Sequence, residues 1–164
     1  EKDDDEDDDE KEDDSPDQPF GHKKNGKPLN PFKKCPDPTV PAIAPAGAVH
    51  ASMPDYAKYL RMHLTRDTKD TVLQNETTYD TLHAPMVDVE NSINYAMGWV
   101  VQKADWADDL LFFHDGSDRR WFTVMYMAPT VGFAAVISSN IDLVVSAEPV
   151  FAVFGALLRQ YVPN

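Results

Sequence analysis

The stretch LLFFHDGSDRRWFTVMYMAPTVGFAAVISSN, residues 110–140, decides the fold. Leu110 to Phe113 is a short apolar run, Trp121 to Ala128 is apolar on both faces, and Val131 to Ile137 follows a Pro129-Thr130 turn. Apolar runs of this length, bounded by turn residues, are strand signals. Just upstream, Tyr95, Met97, Trp99 and Val101 alternate with smaller residues and predict one more strand. Four strands joined by short turns imply an antiparallel sheet.

Helices flank these strands. Ser52-Met53-Pro54-Asp55 reads as a helix start, with Ser52 as cap, Pro54 in the first turn and Asp55 closing the box in place of Glu. Behind it, Met53, Tyr56, Ala57, Leu60, His63 and Leu64 fall on one stripe at helical spacing. A second, short helix fits residues 75–83 and stops at Ala84-Pro85. A last helix near 147–161 shows Val150, Phe154, Leu157 and Tyr161 on one side, with Phe151, Val153 and Leu158 close beside them, and should lie across the sheet. The fold class expected is α+β, an antiparallel sheet with helices packed on it.

The N-terminal quarter has a different character. Of the 28 acidic residues in the 164, 13 lie in the first twenty positions against two lysines. Residues 1–18 therefore read as a disordered acidic tail, since like charges repel and nothing there can be buried. Residues 19–46 hold Pro19, Pro28, Pro31, Pro36, Pro38, Pro41 and Pro45 with Gly21 and Gly26 between them, and read as an extended loop. Residues 47–164 are the expected domain. The chain starts at Glu1, which reads as a processing site or the edge of a longer protein.

Composition excludes several classes of function. No basic face large enough to neutralise several phosphates is visible, so nucleic acid is not an expected partner. Residues 143–162 are the most apolar stretch, but Glu148, Pro149 and Arg159 interrupt them, so no membrane span is expected. Cys35 is the single cysteine, which removes an internal disulfide and any cysteine-based zinc cluster and leaves the compartment open. His22, His50, His63 and His83 lack metal-ligand spacing, so neither a metal nor a cofactor is expected. His63 and His83 also suit the C-terminal ends of their helices.

His114-Asp115-Gly116-Ser117, at the end of the Leu110–Phe113 run, gathers a histidine, a carboxylate, a glycine and a serine. A catalytic triad among these neighbours is poorly supported, because adjacent strand residues point to opposite faces. A tight turn and a functional strand end both fit.

A wider pattern bears on that choice. PAIAPAGAVHASMPDYAKYLRMHL (41–64), LHAP (82–85), YAMGWVV (95–101), HDGSDRRWF (114–122) and APTVGFAAVISSN (128–140), in that order, resemble the C-terminal part of the serine beta-lactamase-like superfamily, which includes class C beta-lactamases, D,D-peptidases and related esterases. PFGHKKNGKPLNP (19–31) resembles the loop before this region in the hydrolase branch. The resemblance implies a serine hydrolase: attack on an ester, amide or lactam, an acyl-enzyme, then hydrolysis. It puts His114 where the family has a lysine or histidine edging the cleft, Gly116 where the acyl group approaches the backbone, and the Ser117 N–H as one oxyanion donor. Asp115 would point away from the cleft.

The family's Ser-x-x-Lys is not found here. The residue three places after each serine is Gln18, Asp55, Tyr95, Arg120, Ile141, Asp142 or Pro149, and no tyrosine has asparagine two places on. The chain is thus expected to be the C-terminal portion of such a hydrolase, inactive alone and taking a small ester, amide or peptide substrate once completed upstream. The alternative is a non-catalytic binding or assembly module built on part of the same fold.

Overall fold

The computed structural model describes residues 19–29, 42–47, 49–69 and 71–162. The acidic tail and residues 30–41 of the proline-rich tract, with Cys35, lie outside these residues. What is described of that tract forms a two-stranded antiparallel pair, β1 (Gly21–His22) and β2 (Pro28–Leu29), closed over Gly26, followed by a single helical turn, α1 (Ala44–Gly47). His22 is tied to the far end of the sheet, where its N–H donates to the Asn140 carbonyl at 2.8 Å.

Helix α2 (Met53–Thr65) starts as its sequence dictates. The Asp55 N–H donates to the Ser52 hydroxyl, and that hydroxyl donates to the Asp55 carboxylate at 2.7 Å. It ends on Arg66, in the left-handed conformation at φ 52°. Helix α3 (Glu76–His83) is capped by Asn75, which accepts from the Thr77 N–H.

The sheet is a six-stranded antiparallel meander in sequence order: β3 (Val87–Glu90), β4 (Ile93–Tyr95), β5 (Val100–Ala104), β6 (Asp109–Ser117), β7 (Phe122–Ala128) and β8 (Phe133–Ser139). The α+β class holds, with six strands rather than four. The strand predicted across Tyr95–Val101 is instead a hairpin: Ala96 bonds back to Trp99, and Gly98 at φ 84° supplies the backbone that the tight turn needs. Alternation of residue size continues through this turn, so it hid the reversal. Strand β3 escaped notice because all four of its residues are exposed, leaving no apolar face to read.

Strand alternation sorts the core into two layers. On one face, Trp99, Val101, Phe112, Met125 and Met127 pack against Leu60 of α2. On the other, Leu111, Phe122, Val124, Tyr126 and Ile137 pack against Val150, Phe154 and Leu157 of the last helix, α4 (Leu143–Tyr161). That helix starts at Leu143, four residues before the expected start near 147. Its cap is Asp142, whose carboxylate accepts from the Val144 N–H at 2.9 Å, and Pro149 is carried inside the helix. By length and composition α4 could cross a membrane, and it is the one such helix among the described residues.

Candidate functional site

His114 to Ser117 form the last turn-ward residues of β6, so the tight-turn reading gives way to a strand end, and the turn itself follows at Asp118–Trp121. Asp118 organises that turn by accepting from the Arg120 and Trp121 N–H groups, both at 2.8 Å. The register explains why the strand end is special. On one side β6 stays paired with β7 through Ser117, while on the other its last partner in β5 is Val100, opposite Phe113. Beyond the tip of the β4–β5 hairpin, residues 114–117 therefore have no neighbouring strand on that side among the described residues.

Tyr95, the last residue of β4, reaches past the hairpin tip. Its hydroxyl lies 3.0 Å from the His114 Nε2. The other ring nitrogen, Nδ1, lies 2.9 Å from the Asp115 backbone carbonyl. A carbonyl can only accept, so Nδ1 carries the proton. In the neutral ring Nε2 is then bare and accepts from the Tyr95 O–H. A second proton on the ring reverses that bond, and the Tyr95 O–H is freed to donate elsewhere.

The neighbours sort by face. His114 shares its face with Phe112, towards α2. Asp115, exposed, falls on the opposite face, and its charge is felt there by Tyr126, whose phenol is pushed up first by burial and then by that carboxylate. The Ser117 hydroxyl is occupied within the turn, donating to the Trp121 carbonyl at 2.7 Å and accepting from the Arg119 N–H. It makes no bond to His114, so the two form no nucleophile and base pair. Gly116 is exposed, and a Cβ built there would meet nothing within 4 Å. Neither backbone strain nor packing within the described residues requires glycine at this position.

Two features escaped the sequence. Tyr95 was read only as one step of an alternating strand. Met97-Gly98, a turn-forming pair within that alternation, was the signal that could have revealed its place at a hairpin tip. The second is a pair of histidines assigned separately to helix ends. His63 Nδ1 and His83 Nε2 lie 3.0 Å apart between α2 and α3. Among the described residues, no group of three or more His, Cys, Asp or Glu side chains is placed to hold a metal ion.

Comparisons with known proteins bear on the whole arrangement. Residues 3–150 match the family model described as Beta-lactamase. No curated protein matches the chain. Among solved structures, the octameric penicillin-binding protein homologue from Pyrococcus abyssi shares the fold, with a TM-score of 0.59 at 17% sequence identity over 88% of this chain. The chain spans 32% of the length of that structure's chain.

Proposed function

Because the chain belongs to the beta-lactamase family, we propose that it supplies the cleft-edging strand of a serine hydrolase acting by acyl transfer on a small ester, amide or peptide. The observation that carries this reading is the open end of β6, where His114 is oriented by Tyr95 beside a strand edge that β5 leaves uncovered. A substrate lying along that edge would meet free backbone, the bare Gly116, and a histidine held by both its nitrogens.

The roles follow from the bonding. Neutral His114 holds the Tyr95 proton; when charged, it turns that proton outward. The pair can thus place a hydrogen-bond donor beside a developing negative charge or beside a catalytic base, which is where such a group contributes most. The Ser117 N–H is assigned to the oxyanion hole, and its hydroxyl stays in the turn. With no Ser-x-x-Lys among these residues, the nucleophile and its lysine are assigned to polypeptide outside the 164.

The test has two arms. The 164-residue chain alone should not be acylated by a fluorophosphonate or penicillin probe. Completed with an upstream segment that carries Ser-x-x-Lys, it should hydrolyse nitrophenyl esters, and His114→Ala should lower kcat/KM by roughly 10^2 or more, the scale for one positioned catalytic group. Equal activity of His114→Ala and wild type would sink the assignment. A chain that stays inert when completed would favour the binding or assembly module.

A further inference from the structure

The His63–His83 contact takes no part in the proposed chemistry, yet it is the closest approach between α2 and α3 that involves two titratable rings. His63 is buried and His83 half-buried. The aromatic rings of Tyr59, Tyr79, Trp99 and Phe112 surround them, with centroids 4.6 to 6.0 Å from one or other imidazole. An N···N separation of 3.0 Å requires one nitrogen to donate and the other to be bare. With both rings doubly protonated, each facing nitrogen carries a proton, the bond is lost and two cations confront each other among apolar rings.

What α3 carries makes this contact consequential. Just past the helix end, the Met86 N–H donates to the Tyr95 carbonyl at 2.9 Å, and the Met97 N–H donates to the Leu82 carbonyl at 3.3 Å. The end of α3 is therefore fastened to the hairpin tip that aims Tyr95 at His114. We propose that the His63–His83 contact is an acid-sensitive clasp: neutral, it holds α3 and the β4–β5 tip against the sheet; protonated, it releases both and withdraws Tyr95 from His114. The link to activity rests on the reading of His114 above, but the clasp itself does not.

The electrostatic surroundings agree in direction. Burial pushes the His63 imidazole below its ordinary value. Burial, then His63, then the Arg66 guanidinium push His83 down to about 4, against a smaller opposing effect from Asp80. On α2 the facing groups are Tyr59 and Arg66; on α3 they are Tyr79 and Asp80, with Asp80 ion-paired to Arg66. The sheet contributes Trp99 and Phe112, which carry no charge, and Asp109 at the rim of a cavity that both histidines line. That cavity opens to solvent and gives protons a way in.

The sign follows from linkage. Both folded-state values lie below the unfolded value of about 6.5, so the unfolded chain binds more protons as pH falls. The stability contributed by the neutral pair is complete above about 6.5 and is lost as pH drops towards 4.

The experiment uses the 164-residue chain. Ring signals of His63 and His83, followed by NMR, should titrate well below the ordinary histidine value of about 6.5. Between pH 7.5 and 5 the urea midpoint should fall, and His83→Gln should remove at least half of that fall. Over the same range the protection factors of the Met86 and Met97 amides should drop at least about tenfold, equivalent to about 1.4 kcal/mol of local opening, while the Val124 amide in the central strand keeps its protection. Rings that titrate at the ordinary histidine value of about 6.5, or a His83→Gln chain with the wild-type pH slope, would overturn the clasp. If His83→Gln does not fold, the wild-type ring titration decides alone. A clasp that titrates as expected beside an inert His114 would separate this proposal from the functional one.

Discussion

On one face of the sheet, α2 and α3 set Tyr56, His63 and His83 against Trp99, Phe112 and Met125; on the other, α4 sets Val150, Phe154 and Leu157 against Phe122, Val124 and Tyr126. The first face is held by area and by direction together. Tyr56 donates to the Met125 sulfur, Tyr79 donates to the Asp67 carbonyl, and the two histidines share a bond. The second is held almost entirely by area, including Tyr126 and Phe154 stacked at 3.8 Å, and α4 leaves Val144, Phe151, Val153 and Tyr161 exposed. Polar groups under a helix must find partners, and finding them fixes orientation. It is on that oriented face that His114 sits.

The largest expected effect is on packing. Trp99 is 1% exposed and touches Tyr59, His63, His83 and Phe112. Trp99→Ala should cost about 3–5 kcal/mol, since no neighbour can collapse into the space of an indole. Phe154, half-buried on the other face, should cost only about 2 kcal/mol as Phe154→Ala, because part of its ring is already in water. Urea denaturation of both would check this. A Phe154→Ala loss as large as that of Trp99→Ala would erase the distinction between the two faces. The Phe154→Ala chain should also keep the full wild-type decline in stability between pH 7.5 and 5, since the titratable ring that Phe154 stacks on, Tyr126, is pushed up and stays protonated over that range.

Helix caps give a smaller and more discriminating comparison. Ser52 is exposed, and Ser52→Ala should cost about 1 kcal/mol, in the middle of the range for such caps. Asp142 is 5% exposed, so its carboxylate has little water to fall back on when it leaves the Val144 N–H. Asp142→Ala should lie nearer the upper end, about 2 kcal/mol. Equal losses would mean that burial adds nothing to the second cap.

Much of the fold could be read from the residues. Strands β6, β7 and β8 carry long apolar runs broken by turn residues, and Ser52 sits where its capping box predicts it. Signals failed where local pattern and topology part company. In YAMGWVV the alternation of residue size continues through a reversal, because the two halves of the hairpin pair in register with Ala96 opposite Trp99. The last helix, expected from near 147, begins at Leu143 behind its Asp142 cap and carries Pro149 inside. The site divided in the same way: HDGS drew attention by its composition, but Tyr95 is 19 residues away in sequence and His63 is 20 from His83. A single sequence carries no mark of such contacts, which arise only when the register of β5 and β6 and the placing of α3 bring the rings together.

The smallest expected effect tests whether Tyr95 orients His114 or only lies near it. Removing the hydroxyl in Tyr95→Phe takes away the partner of Nε2 and leaves the aromatic ring in place. Because both residues are half-buried, water can replace the lost bond, and the cost should be about 1 kcal/mol or less. The informative readout is the imidazole itself. In the wild type, the Nδ1 proton held by the Asp115 carbonyl and the Tyr95 O–H at Nε2 select one neutral tautomer together. With the second constraint gone, 15N shifts of the His114 ring should move towards a mixture of tautomers. Tyr56→Phe, which removes only a 3.5 Å contact to the Met125 sulfur, should leave that ring unchanged. If Tyr95→Phe and Tyr56→Phe gave the same His114 spectrum as the wild type, the carbonyl alone would hold the ring, and the hairpin tip would have no hold on the site.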